Sequence, residues 1–450
     1  MGNPAEKKQE TASQSNGQKK RTRARFIILS LLFVGTAINY LDRTNMAVAA
    51  PAIQDDLALD PAMVGLILSA FGWTYAFMQI PGGWFIDRFG PRLVYGISLI
   101  GFSLFTLFQG FAKNFASLFA LRLGLGFAES PTFPANSRIV AAWFPQRERA
   151  LATGVYTAGE YVGLAIATPF LFWLLSSFGW HSIFIVTGVI GLLFAIVWFK
   201  VYRDPKDSNL INKEEMDFIR EGGGLADGVE EKQKIRWSQI GHLFKYRQLW
   251  GIYIGQFGNS STLYFFLTWF PSYLIQEKGI AMQQAGILGS IPYIAAGLGV
   301  LVGGYWSDAM IKKGFSVGIS RKIPIIAGLL GACSIVLANY VSSAGMVITI
   351  MSFAFFAQGM SSITWSLVSD IAPKELVGLA GGVFNFIGNL GAIITPIVIG
   401  LVVSASNSYS GALVYISIVA FIGALSYIFI VGEVKRITLA EDKKPPHATK

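Results

Sequence analysis

Long stretches of this chain hold no Asp, Glu, Lys or Arg at all, among them residues 93–112, 249–276, 280–307, 323–369 and 376–432. A helix of about 20 apolar residues crosses a hydrocarbon core of about 30 Å, so the last two stretches must each hold two crossings with a short turn between them. The runs are continuously apolar and lack the period-two alternation of a closed barrel, which favours helices. Charged residues make up 14% of the chain, against roughly 25% in soluble domains. Dividing the sequence at its polar and Gly/Pro breaks predicts an all-α membrane protein with twelve transmembrane helices. They are expected near 26–50, 60–82, 93–112, 115–141, 150–174, 181–201, 249–275, 282–309, 323–341, 345–368, 376–403 and 410–432.

The formal net charge of +10 is distributed unevenly. With the N-terminus assigned to the cytoplasm, every Lys and Arg falls on that side except Arg43, Lys113, Arg122 and Lys278. The positive-inside rule then predicts that both termini are cytoplasmic. The basic balance therefore reads as topology, and nucleic acid is not an expected partner. Residues 1–20 are polar and have no apolar core followed by a cleavage site, so 1–25 reads as a disordered cytoplasmic tail and 433–450 as a second tail. The single Cys333 excludes an internal disulfide. There is no nucleophile–base set, no metal-ligand cluster and no Gly-rich phosphate cradle after a strand. The three histidines, His181, His242 and His447, lie at membrane edges or in loops. Nothing in the sequence points to an enzyme.

An internal repeat divides the spans into two six-helix halves, 26–201 and 249–432. Gly83-Trp-Phe-Ile-Asp87-Arg88-Phe-Gly90-Pro-Arg92 has a partial second copy in Gly304-Tyr-Trp-Ser-Asp308, the two aspartates 221 positions apart. Pro145, Gly154 and Thr168 match Pro373, Gly382 and Thr395 at offsets of 228, 228 and 227. The linker between the halves, 202–248, carries charge of both signs. Within it Asn212 precedes Lys-Glu-Glu-Met-Asp-Phe-Ile-Arg, a capped short amphipathic helix expected to lie on the membrane face.

Five charged residues interrupt the spans of the first half: Asp42, Arg43, Arg122, Glu129 and Glu160. Each costs roughly 2.5–3.5 kcal/mol near mid-bilayer, so each is expected to face a partner, a cavity or a transport path. At ~1.5 Å per residue, Arg43 and Arg122 fall at similar depth in the outer third of the core. A guanidinium offers a planar fork of donors suited to a carboxylate; the alternative is that each Arg snorkels outward or pairs with Asp42. Arg122 and Glu129 are two turns apart on one helix face. Pro131 and Pro134 interrupt the backbone ladder beside Glu129 and can free carbonyls at a cavity. A buried carboxyl can alternate between proton-bound and paired forms, which suits Asp42 and Glu129 to proton coupling. Glu160 again lies near the midplane, and its counterpart in the second half is Gly388. That half offers neutral groups instead, Gln256, Asn259, Ser362, Thr364, Asn385 and Asn389, with Trp365 as a flat wall. The set suits a polyhydroxylated anion.

Six helices, a cytoplasmic linker and six more helices resemble the major facilitator superfamily, whose loop signature is similar to Gly83–Arg92. There Asp87 and Arg88, with Gly90 and Arg92, would act as a conformational latch. Tyr40-Leu-Asp42-Arg43, Phe71-Gly-Trp-Thr-Tyr75 with Gln79-Ile-Pro-Gly-Gly-Trp, and Arg122-x6-Glu129-x-Pro-x-Phe-Pro resemble its anion:cation symporter family. So do Arg138-x4-Trp-Phe-Pro-x-x-Glu148-Arg149, Ser362-Ile-Thr-Trp365 and Gly381-Gly-Val-Phe-Asn385. Within that family the match is to bacterial galactonate and glucarate transporters, over residues 25–436. The resemblance implies a monomeric proton-coupled symporter in the bacterial inner membrane that imports a sugar acid by alternating access. It implies no cofactor beyond the coupling proton. Asp42 and Glu129 are implied as protonation sites, and Tyr40, Arg43, Tyr75, Arg122, Gln256, Ser362, Thr364, Trp365 and Asn385 as the substrate site. Gln is expected in close relatives where this chain has Glu160, so the acid at this substrate-contacting position is a departure. An organic anion or organophosphate exchanger of the same architecture would also need paired arginines, but not buried acids.

Overall fold

The protein, described here as a computed structural model, is defined at residues 21–226, 241, 243–373 and 376–437; the tail expected over residues 1–20, and part of the linker and of the C-terminal tail, lie outside them. The described residues are helical. Before the linker run α1 (Ala24–Asp56), α2 (Pro61–Phe89), α3 (Pro91–Gln109), α4 (Phe115–Glu129), α5 (Thr132–Trp143), α6 (Gln146–Phe178) and α7 (Trp180–Val201). The linker contributes α8 (Lys213–Glu221). After it come α9 (Arg247–Thr268), α10 (Met282–Lys312), α11 (Val317–Ala332), α12 (Ala344–Met360), α13 (Thr364–Ile371), α14 (Val377–Ser406) and α15 (Ser410–Leu425).

Ten segments among the described residues are long and apolar enough to cross a membrane. Two of the twelve expected spans fall short of that, for local reasons. The fourth is broken between α4 and α5 at Ser130 and Pro131, so neither piece is long enough alone. The seventh, α9, is continuous but buries Gln256, Asn259, Ser260, Ser261 and Thr262. Helix ends follow ordinary capping. Asp60 Oδ1 accepts from Met63 N at 2.7 Å with Pro61 in the first turn of α2. Asn114 and Ser117 cap α4 reciprocally. Gly90, at φ +80°, both ends α2 and opens α3, a left-handed position that lets the chain reverse without a loop.

The apolar core has three parts. One is built only from residues of the first helix group and the linker helix, from Ala24 to Ala226. Another is built only from the second group, Leu243 to Ile437. The third joins both groups, running from Tyr40 and Ala50 through Leu171 and Trp180 to Trp269, Phe355 and Ile416. The two separate cores lie at the end that carries the described termini and the linker; the shared core lies at the opposite end. The two groups are thus fused at one end and parted at the other. At the fused end α2 crosses α14 so closely that a Cβ on Gly65 would meet the Pro396 carbonyl at 2.5 Å. Gln276 Nε2 donates to Gln54 Oε1 across the same seam at 3.2 Å.

The linker helix is capped as the spacing predicts, with Asn212 Oδ1 accepting from Glu215 N at 3.0 Å. It docks on the first helix group. Glu215 is fully buried and accepts from Thr22 Oγ1 at 2.6 Å, Ala24 N at 3.0 Å and Arg25 Nη1 at 2.7 Å. Its carboxylate therefore caps the start of α1, where unpaired amides and the helix dipole favour an anion.

Candidate functional site

Arg43 and Glu129 meet in the middle of the first helix group. Arg43 Nε and Nη2 both approach Glu129 Oε1, at 2.8 and 2.7 Å, and Glu129 Oε2 has no partner. The guanidinium also lies 4.6 to 4.8 Å from the ring centres of Tyr40, Tyr75 and Phe71, a set of π faces that offsets part of its desolvation. The break in the fourth span makes this possible. α4 stops at Glu129, and the freed Glu129 carbonyl accepts from Thr132 Oγ1 at 2.8 Å.

Asp42 is not the partner of Arg43. Successive side chains on a helix diverge by about 100°, and Asp42 turns away into a polar pocket between α1 and α7. Asn45 Nδ2 donates to Asp42 Oδ1 at 3.2 Å and to Thr187 Oγ1 at 2.7 Å, and Asp42 Oδ2 is left without a partner. Pairing of either arginine with Asp42, left open by the sequence, is not what the chain adopts.

Arg122 is 2% exposed, yet its Nε and Nη1 have no hydrogen-bond partner, and among the described residues no carboxylate lies within ion-pair distance. It sits 5.6 Å from the centre of the Phe71 ring. Together with Arg43, Tyr264, Thr268 and Ala392 it lines a cavity of about 10 Å³, room for one water at most. A buried cation without a counter-ion is costly, which marks this as a place where an anion would be stabilising.

Glu160, on α6, is 7% exposed and faces the Tyr40 hydroxyl. It too has no cation within ion-pair distance among the described residues. Its neighbour Tyr161 faces Ser362 across the two groups.

The second group supplies neutral partners. Helix α12 gives way to a 3-10 turn over Ser361–Ile363 before α13 begins. This break lies 231 positions after the one at Ser130, close to the repeat offset in the sequence. Paired breaks in corresponding helices expose backbone polar groups where a substrate site forms. Around this break, Asn259 Oδ1 accepts from Gln358 Nε2 at 3.1 Å and from Ser361 Oγ. Thr364 Oγ1 donates to the Ser361 carbonyl at 2.8 Å and accepts from the Tyr427 hydroxyl at 3.1 Å. Gln256 Nε2 reaches Ser260 Oγ at 3.2 Å. Trp365 is 48% exposed and packs edge-on against Phe384. Asn385 Nδ2 donates to Gln79 Oε1, a bond that joins α14 to α2.

Gln79, Tyr264, Thr268 and Gln358 were not singled out by sequence reasoning as site residues. Gln79 stands inside a motif noted for its resemblance, but nothing in its neighbours marks it as a polar bridge. On the open side, Asp87 and Arg88 are exposed and, among the described residues, Asp87 makes no hydrogen bond or ion pair, whereas Arg92 Nη2 donates to the Phe199 carbonyl at 3.0 Å. In the second copy of that motif, Asp308 is held by Arg321 at 3.3 Å.

A helical bundle of this kind, fused at one end and lined by buried charge at its centre, defines a multi-pass membrane transporter. The chain belongs to the Major Facilitator Superfamily, whose profile matches residues 32–396 and 283–449. It is 49% identical to a D-galactonate transporter of Escherichia coli O6:H1 (strain CFT073), over 93% of this chain and 98% of that one. It is 42% identical to the probable galactarate/D-glucarate transporter GudP of Bacillus subtilis (strain 168), over 95% and 96% of the two chains. Among solved structures it is similar to a bacterial homologue of the human lysosomal transporter Spinster in an inward-facing, unoccupied conformation. That match has a TM-score of 0.74 at 19% identity and covers 92% of this chain and 98% of that one. These relatives are transporters and not enzymes.

Proposed function

We propose that this chain is a proton-coupled symporter that imports a sugar acid anion by alternating access. It would do so with twelve helices in two six-helix halves and with both termini in the bacterial cytoplasm. The observation that carries the reading is the pair of guanidiniums at the centre, one paired directly with Glu129 and the other, Arg122, buried with no carboxylate in ion-pair contact among the described residues. Protonation of Glu129 would release Arg43, and the two forks would then clamp one carboxylate beside Tyr75 and Tyr264. The neutral set of Gln256, Ser362, Thr364 and Asn385 suits the hydroxyls, with Trp365 and Tyr40 as walls. Loss of the proton would restore the Arg43–Glu129 pair and expel the anion from the parted end, which on this reading faces the cytoplasm.

Charge balance supports coupling to protons. With Asp42, Glu129 and Glu160 ionised, the three carboxylates already outnumber the two guanidiniums, and a bound anion would add another negative charge. Two protons per monovalent anion restore neutrality, which makes Asp42 the natural second carrier. The exposed Asp87 fits an open latch; on closure of this end it would accept bonds from helix termini and arginines of the facing half, with Arg88, Arg92, Gly83 and Gly90 shaping the loop. An exchanger would have no use for a carboxylate that cancels one of its two arginines.

The test is uptake by purified protein in liposomes, with an acidic exterior and a panel of sugar acids and neutral sugars. Galactonate or glucarate should accumulate severalfold above the level without a gradient, and a protonophore should abolish the difference. Equal uptake with and without the gradient removes proton coupling; uptake of neutral sugars alone removes the anion site.

A further inference from the structure

We propose that Glu160 makes this carrier selective for sugar acids with one carboxylate over those with two. The inference rests on the sugar acid reading above. Both buried cations of the site, Arg43 and Arg122, line one cavity, with Arg43 over the face of the Tyr40 ring, and Glu160 is not among the residues that line it. Glu160 lies toward the Tyr40 hydroxyl, buried and without a cation within ion-pair distance among the described residues. The groups in contact range from other elements are the Tyr40 hydroxyl on α1, Tyr264 on α9 and, beside the adjacent Tyr161, Ser362, all neutral; Arg43 acts on Glu160 only from beyond ion-pair distance and is already held by Glu129. A Lys or Arg that could balance a second carboxylate is absent from the apolar windows of the second half.

A carboxylate can only accept hydrogen bonds. At Glu160 it is matched to a hydroxyl, which donates, and mismatched to another carboxylate, which cannot. A hexonate held by its single carboxylate at the two guanidiniums carries a primary alcohol at its far end. The corresponding hexarate would carry a second carboxylate there, buried against Glu160 with no cation of its own to pair with. The two substrates differ only at that end, so the difference in affinity falls on the group that meets it. Selectivity of this kind comes from a repulsive element aimed at the wrong ligand.

The experiment measures equilibrium binding of a hexonate and of the hexarate with the same stereochemistry to the purified full chain at pH 7. The wild type should bind the hexonate at least tenfold more tightly. Glu160→Gln should bring the ratio to within threefold of unity, because an amide can donate to a carboxylate as well as accept from a hydroxyl. Glu160→Asp, which keeps the charge, should preserve the preference. Glu160→Asn serves as a second neutral variant if the Gln form does not fold. Equal wild-type affinities, or a ratio that neither neutral variant changes, would overturn the assignment of Glu160 and leave the transport reading standing. A wild type that binds neither anion would instead remove the transport reading, and this inference with it.

Discussion

Arg43 and Glu129 form a lopsided pair: two donors of the guanidinium converge on one carboxylate oxygen, and the other oxygen is buried with no partner. A buried ion pair holds a fold together weakly unless every lone pair is satisfied. An incompletely satisfied pair is instead one that can be exchanged for another arrangement at little cost. On the function proposed above, the exchange would be between Glu129 and a substrate carboxylate, with a proton deciding which of them holds Arg43.

Glu129→Gln should therefore separate binding from accumulation. The amide resembles the protonated acid in size and cannot discharge a proton, so Arg43 stays available to substrate. Binding of the sugar acid should be retained, and exchange of labelled for unlabelled substrate should continue. Gradient-driven accumulation should drop at least tenfold. Accumulation at the wild-type level in liposomes would show that Glu129 is not the coupling group.

Arg122→Lys should weaken sugar acid binding by about tenfold or more, although the charge is kept. A charge-assisted hydrogen bond is worth roughly 1.5–3 kcal/mol, and the ammonium loses one of the two parallel bonds and the orientation that a guanidinium imposes. Arg43→Lys should behave similarly, with an added loss from the Tyr40, Tyr75 and Phe71 faces. Isothermal titration at neutral pH checks both; unchanged affinity in the pair would make these arginines structural.

The charges that define this site were legible because a charged residue inside an apolar span stands out against its neighbours. The helix break beside Glu129 was legible from Pro131 and Pro134. The direction of Asp42 was not: residues 42 and 43 look equivalent in sequence, and only the packing of α1 against α7 decides that one faces Asn45 and the other Glu129. The second break, at Ser361, carries no proline and leaves no mark in composition. Tyr264 and Gln79 are ordinary span residues until the seams at α9 and α14 bring them to the centre. The docking of the linker helix was missed for a similar reason. Its sequence shows an amphipathic helix but not what that helix packs on, and the partner at the start of α1 lies about 190 residues away.

That docking makes its own prediction. Glu215→Ala removes the acceptor of Thr22 Oγ1, of the first amides of α1 and of Arg25 Nη1, while Arg25 Nε keeps Glu148 at 3.0 Å; each buried donor left unpaired costs roughly 1–3 kcal/mol. The linker helix should detach more often, so tryptic cleavage at Lys213 should rise at least tenfold while the membrane-embedded core stays intact. Cleavage at the wild-type rate would mean that the helix is held without Glu215, by the guanidiniums over Phe218 and by the bonds of Asn212 to Thr22 and of Gly222 and Gly223 to Gln146 and Arg149.

The seam at the fused end offers the most direct test of alternating access. Gln276 Nε2 and Gln54 Oε1 touch across it, so cysteines placed at those two positions, with Cys333 replaced, come within reach of a short bifunctional thiol reagent. A seam that stays shut through the cycle would tolerate the link. If this end must part to admit substrate, cross-linking should abolish uptake from outside. It should leave binding from the opposite face intact, because the two cores are separate at that end and the link does not tie them. Cleaving the linker should restore uptake. Sustained uptake by the cross-linked protein would show that substrate enters without separation of α1 from the helical turn Tyr273–Glu277 that follows α9, and rocking of the two helix groups about the central site would have to be abandoned.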